Sequence, residues 1–297
     1  MISVVVCTFN RAAALTRFLE QLTTLTTPVN GRWELVVVDN NSTDGTREVI
    51  ERFRTRLPVP LVYHFEPRQG LAFARNAGVA RSRFDLVAFT DDDCLVTSNW
   101  LVRIEHEFQW DPTLGVLTGR VEAVEGLPED VSTRRETTRA EVTTLADIRR
   151  YTIGCNMVFR RSVLESVGPF DTCLGAGTPC RAGEDSDFVY RALRKGHRVV
   201  YSPELLIAHA HDRVDSHAIL KLQRGYLKGR GAFYCKHVLS LDLNIARHLY
   251  WELKGLFVRH ATATPGVPRL SRREVFLGLV HGAVLWMSCT LLQTLRR

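Results

Sequence analysis

The chain has 297 residues, 45% hydrophobic and 24% charged, which suffices for one large or two small globular units with ample core and excludes a disordered chain. Its formal charge of +7 is uneven, because residues 213–297 hold fourteen Lys and Arg against four Asp and Glu, while residues 1–212 are slightly acidic. The basic third can face anionic lipid or a phosphorylated substrate; it shows no zinc-finger or RNA-binding signature, so nucleic acid is not an expected partner.

Taken in chain order, short apolar runs predict strands at Ile2–Thr8, Trp33–Asp39, Leu61–Phe65 and Asp85–Thr90. Helical periodicity fills Ala12–Thr24, Thr46–Arg56 and Gly70–Ser82, and Asn41 to Gly45 supplies turn and capping residues. Alternation of this kind predicts βαβ units with a parallel sheet covered on both faces. In such sheets ligands bind beyond the carboxyl ends of the strands, where Thr8, Asn10, Asp39 and Asp91 to Asp93 all fall. The apolar start of the chain has no basic region ahead of it, so it reads as a first strand rather than a signal peptide.

Asp91, Asp92 and Asp93 directly follow the apolar run Leu86 to Phe89. Three carboxylates at the end of a buried strand repel one another and attract a cation, and hard oxygen ligands suit Mg²⁺ or Mn²⁺; the plainer reading is a solvated acidic turn. A second acidic group, Gly183 Glu184 Asp185 Ser186 Asp187, opens a helical pattern some ninety residues later. There is no Gly-x-x-x-x-Gly-Lys-Ser/Thr loop and no Gly-x-Gly-x-x-Gly after the first strand, which disfavours a P-loop nucleotidase or a dinucleotide oxidoreductase. If phosphates bind, a metal must balance most of their charge.

Residues 123–150 lack apolar periodicity and predict a mobile flap or a surface insertion over an acceptor site. From Ser216 the chain turns helical over His217–His237, Asn244–His260 and Arg272–Leu295, with a Pro and Gly linker at Thr264 to Pro268. The last helix contains eighteen mostly apolar residues, Val275 to Leu292. At 1.5 Å per residue they span about 27 Å, marginal for crossing a bilayer; the alternatives are attachment along a membrane surface, the favoured reading, and burial against the preceding helices. Seven cysteines, an odd number without a Cys-x-x-Cys pair, read as reduced thiols of a cytosolic protein.

The ordered motifs Val5 to Arg11, Leu35 to Thr46, Gly70 to Gly78 with Ala74 Arg75 Asn76, the Asp triplet and Gly183 Glu184 Asp185 resemble the family 2 glycosyltransferases over roughly residues 1–210. The resemblance implies a GT-A fold: a Rossmann-like, mainly parallel sheet, here with a C-terminal helical extension. It also implies a nucleotide-diphospho-sugar donor, a divalent metal and inversion at the anomeric carbon. On that pattern residues 1–212 form the catalytic domain, with a nucleotide half to 120 and an acceptor half beyond, and 213–297 a helical region. Asp39 would bind the base, uracil by expectation, and Thr8, Asn10, Arg11 and Arg75 would line the nucleotide pocket. Asp91 and Asp93 match the ends of the Asp-x-Asp motif, with Asp93 the first choice of metal ligand and Asp92 near the ribose. Asp185 matches the catalytic base, with Glu184 beside it, and Gly154 and Asn156 would border the acceptor. His209, with His211 as substitute, would reach the metal.

Local readings stand beside these roles. Thr8, Asn10 and Asp39 could cap helices or turns, and Glu184, Asp185 and Asp187 could complement a helix N-terminus. The expected activity is transfer of a sugar to a polysaccharide, lipid-linked or glycoconjugate hydroxyl, at the inner face of the cell membrane. The rivals are a nucleotidyltransferase, for which Thr8 to Arg11 is the wrong loop, and a catalytically silent sugar-nucleotide or glycan binder.

Overall fold

Continuous runs of Val, Ile and Leu make strands that are buried on both faces, and the first half of the fold follows from that. The computed structural model describes residues 1–25, 32–127, 132–210, 215–258 and 270–295. β1 (Ile2–Thr8) and β2 (Trp33–Asp39) lie parallel, with β3 (Leu61–Phe65) beyond β2 and β4 (Leu86–Asp91) on the other side of β1. The crossovers are α1 (Ala12–Leu22), α2 (Thr46–Phe53) and α3 (Leu71–Arg81). Gly78 in α3 admits close packing on the sheet, since a Cβ there would stand 2.3 Å from Val5 Cγ1.

The chain continues through β5 (Cys94–Val96), α4 (Trp100–Trp110), β6 (Leu114–Ala123), β7 (Ala140–Glu141), α5 (Leu145–Tyr151), β8 (Met157–Arg160), α6 (Arg161–Val167), α7 (Glu184–Arg194) and β9 (Arg198–His209). The sheet order is β3-β2-β1-β4-β8-β6-β9-β5, with β7 on β9. β8 runs antiparallel to both β4 and β6, so the parallel half passes into a mixed half. β9 is continuous through Pro203, which lacks an N–H; a register shift opposite Gly119 and Arg120 absorbs it.

The expected mobile flap is a pinned strap over its described part. Arg134 bridges Val121, the Tyr201 hydroxyl donates to Glu136 O at 2.7 Å, and β7 pairs with β9. A Thr144–Asp147 capping box then starts α5. The sequence hid this because the strap is held by backbone pairing to strands far away in the chain.

The contacts divide the chain into two units. The first holds residues 1–170 and 185–212; the second holds 171–184 and 213–297, so a single cut at 212 is replaced by one that sends 171–184 to the helices. The second unit contains α8 (Ser216–Leu239), α9 (Leu243–Val258) and α10 (Arg272–Leu295). Asp171 explains the reassignment: it receives the Lys236 ammonium at 2.9 Å and Trp286 Nε1–H at 3.1 Å. The Thr264 to Pro268 linker lies outside the described residues.

Cys173 and Cys289, 116 residues apart, form a disulfide. This corrects the expectation that all the thiols are reduced and removes cysteine usage as support for a cytosolic address; no local spacing could have revealed the pair. Helices α8 and α10 approach closely through glycine: a Cβ on Gly231 would meet Leu279 O at 2.0 Å, and one on Gly282 would meet Lys228 O at 2.0 Å. By length and composition α10 could cross a membrane, and Phe276, Leu277, Val280, Val284 and Leu291 are exposed on it.

Two predictions follow from packing and charge. Gly282→Leu forces α8 and α10 apart and destabilises the helical unit by about 3 kcal/mol, the upper range for overpacking, read as a lower midpoint in thermal unfolding. Glu34 is fully buried in β2; burial opposes its charge, but Ser3 Oγ–H, Arg83 N–H and Arg83 Nε–H donate to it and hold its pKa below the ordinary 4.5. Its stabilisation is therefore complete above pH 4.5 and lost as pH falls through the lowered value. Glu34→Gln costs about 1–3 kcal/mol at pH 7 and flattens the acid limb of a stability–pH profile.

Candidate active site

Parallel register brings the strand ends together: Thr8 lies opposite Asp39, and Cys7 opposite Asp91. Asp39 is buried, accepts Ser42 N–H at 2.8 Å and has the Tyr63 hydroxyl at 3.4 Å. Burial, then the Asp39 charge, pushes the Tyr63 phenol upward. Asn10 adopts φ +52° and ties two loops, its N–H donating to Ser42 Oγ at 2.9 Å and its Oδ1 accepting Thr43 N–H at 2.7 Å. Its amide thus shapes the rim of the site by joining the β1 and β2 loops.

The triplet divides its charges. Thr8 Oγ1–H donates to Asp92 Oδ2 at 2.6 Å, and Arg11 reaches Asp92 Oδ1 at 3.2 Å and Asp93 Oδ2 at 2.8 Å. Burial raises Asp92 to about 7 against the pull of Arg11 and Thr8. Burial likewise opposes ionisation of Asp93, but the His209 hydrogen bond and charge and Arg11 outweigh it and hold this carboxyl well below the usual range. Asp91 is pushed up by burial, with Arg75 as the largest opposing charge.

His209 arrives by sheet register: β5 pairs antiparallel with β9, Cys94 opposite His209, and Ala210 N–H donates to Asp93 O at 2.8 Å. His209 Nε2 lies 3.2 Å from Asp93 Oδ1, and Nδ1 lies 3.4 Å from Ser132 O. Burial would lower the imidazole, but Asp93 prevails and raises it to about 9. Asp93 Oδ1 is buried without a geometrically sound hydrogen bond, and ligand atoms of Asp93, Cys94 and His209 lie within 4.8 Å of one another. An ionised carboxylate whose buried oxygen meets an imidazole without a well-aligned hydrogen bond fits a divalent cation that displaces the imidazole proton on binding. The Cys94 thiol, which burial holds protonated, is a poor ligand for a hard ion. His211 lies outside the described residues.

Arg75 is buried beside Phe89, its guanidinium carbon 5.2 Å from that ring centroid and 5.9 Å from Phe170. Gly154 makes room for it, since a Cβ there would lie 2.3 Å from Arg75 Nη2. Asn156 is fully buried, accepting Trp100 Nε1–H at 3.0 Å and donating to Arg120 O and Leu205 O. Its amide is spent on joining α4, β6 and β9. Gly154 and Asn156, expected at the acceptor border, are both buried here, Gly154 against Arg75 and Asn156 among α4, β6 and β9.

Phe188 of α7 stacks on Phe170 at 4.5 Å, and Phe170 meets Phe89 at 5.6 Å, so an aromatic cluster anchors α7 beside β4. Asp185 precedes Phe188 by three residues and accepts Ser186 N–H at 2.6 Å, while remaining partly accessible. Asp187 is fully buried in an ion pair with Arg191 at 2.9 Å, as a helix-anchoring group would be. Glu184 belongs to the second unit, where its carboxylate packs on Gly175, whose φ is +95°.

The family model for glycosyl transferase family 2 matches residues 3–168, and the chain belongs to that family. It is 30% identical to the succinoglycan biosynthesis protein ExoM of Rhizobium meliloti over 68% of this chain and 64% of that protein. It is 27% identical to glycosyltransferase AglE of Haloferax volcanii over 70% of this chain and 66% of that one. These matches span about two thirds of the curated relatives' length. Among solved structures, the mannosyltransferase PcManGT of Pyrobaculum calidifontis, in complex with GDP-Man and Mn²⁺, aligns with a TM-score of 0.58 at 21% identity, covering 96% of this chain and 69% of that one. TarS 1–349 of S. aureus with UDP-GlcNAc gives 0.62 at 17%, covering 98% and 91%. These likenesses establish the GT-A fold.

Sequence reading missed Tyr63 beside Asp39 and Trp100 beneath Asn156; an aromatic in a strand is ordinary core, and only register reveals its neighbour. Gly154→Ala drives a Cβ into the buried Arg75 guanidinium and destabilises the first unit by about 1–3 kcal/mol, the usual cost of overpacking, read as a lower midpoint in thermal unfolding.

Proposed function

We propose that this glycosyltransferase moves a sugar, with inversion, from a nucleotide-diphosphate donor to a hydroxyl of a polysaccharide, lipid-linked or glycoconjugate acceptor. The observation that carries the reading is the convergence of Asp39, Arg75, Asp93 and His209 at the carboxyl ends of β1, β2 and β4 with the ends of β5 and β9. Asp39 and Tyr63 suit the imide edge of a base such as uracil, and the UDP-sugar and GDP-sugar complexes of the structural neighbours support a nucleotide donor.

Displacement at the anomeric carbon needs a group to take the acceptor proton and compensation for charge growing on the leaving diphosphate. Asp185 takes the proton in this reading, from its accessible position at the start of α7. Asp93 and His209 would hold Mg²⁺ or Mn²⁺, which when bound would offset diphosphate charge. Arg75, buried against Phe89, keeps a fixed positive charge beside Asp91 and orients the donor. The exposed apolar residues of α10, together with the basic C-terminal third, support attachment to an anionic membrane surface, which would bring a lipid-linked acceptor near.

Asp185→Asn separates the roles. Donor binding persists while turnover falls by roughly 10²–10⁴, the usual contribution of a positioned base, in a product-release assay with a lipid-linked or oligosaccharide acceptor panel. Wild-type turnover in this variant contradicts the assignment.

A further inference from the structure

Arg11 stands at the end of the β1 loop and spans two different carboxylates, Nη1 to Asp92 at 3.2 Å and Nη2 to Asp93 at 2.8 Å. Its side chain has no share in capping α1: the Ala12 N–H donates instead to Asp44 Oδ2 at 3.0 Å. The carboxylate side chains are 3% and 4% exposed whereas that of Arg11 is 33% exposed, so the cation reaches inward from the solvent side onto a buried anionic pair. Arg11 and His209 thus bring two cationic side chains to the same carboxylate of Asp93. One oxygen of Asp93 faces His209 while the other is held by Arg11.

A divalent cation ligated by Asp93 and His209 would share its carboxylate with a guanidinium, and two cations on one buried carboxylate repel. We propose that Arg11 is a built-in competitor of the divalent ion: it holds Asp92 and Asp93 together, and it must loosen its grip on Asp93 for the ion to bind. The inference rests on the metal reading above and deepens it, because it makes the affinity for metal a property of Arg11 as well as of the ligands. Its partly exposed stem allows the withdrawal, and a diphosphate entering at the same strand ends offers the displaced guanidinium a bidentate anionic partner. Arg11 therefore couples metal binding to the nucleoside diphosphate.

The test is calorimetric titration of Mn²⁺ alone into the full chain and its Arg11→Gln and Arg11→Lys variants, with Asp93→Ala as the ligand control. Arg11→Gln removes the competitor and binds Mn²⁺ at least about tenfold tighter than the wild type. Arg11→Lys, a point charge that cannot fork across two carboxylates, falls between them. Asp93→Ala abolishes binding. Should Arg11→Gln fail to fold by circular dichroism, the wild type against Arg11→Lys carries the comparison. Equal or weaker Mn²⁺ binding in the Arg11 variants, with wild-type binding intact, overturns the competition and leaves the metal site standing; no Mn²⁺ binding to any of the proteins overturns both.

Discussion

Three consecutive carboxylates at the end of a buried strand are the constraint on which the site depends. β4 runs through the centre of the sheet with Leu86 to Thr90 buried, and it delivers Asp91, Asp92 and Asp93 where water is scarce. Ionised acids there must be compensated. The fold supplies compensation from three directions: Arg75 from α3, Arg11 from the loop after β1, and His209 from β9 through its pairing with β5. Each belongs to a separate sequence segment, so the register of the sheet, parallel at β1 and β4 and antiparallel at β5 and β9, is itself part of the electrostatics.

A second set of buried residues supports that arrangement. Gly154 leaves the space that Arg75 fills, and Asn156 uses its whole amide to join Trp100, Arg120 and Leu205. Asp187 and Arg191 fix α7 to the Val167 and Gly168 carbonyls, leaving Asp185 the accessible acid of its group. A polar residue in such a motif therefore builds the frame when it is buried and satisfied, and remains a candidate for chemistry when it is accessible.

Much of this was legible in the sequence because the first half of the fold is locally determined. Apolar runs marked β1, β2, β3 and β4 to within a residue, and so placed the polar residues that end them along one edge of the sheet. What depends on long-range pairing was not legible. The strap around Arg134 and Glu136 is held by backbone bridges, the Cys173–Cys289 link joins residues 116 apart, and segment 171–184 joins the helices through Asp171. Asn156 matched a motif, yet its burial was decided by Trp100, fifty-six residues earlier.

The central claim is that the strand-end carboxylates and His209 make a metal-assisted site for a nucleotide-diphospho-sugar. Its most direct test is calorimetric titration of the full chain with a panel of nucleoside diphosphates and their sugars, each with and without Mn²⁺. The account predicts that one nucleotide binds tightly only when the metal is present. Binding indifferent to metal, or no binding across the panel, would contradict it.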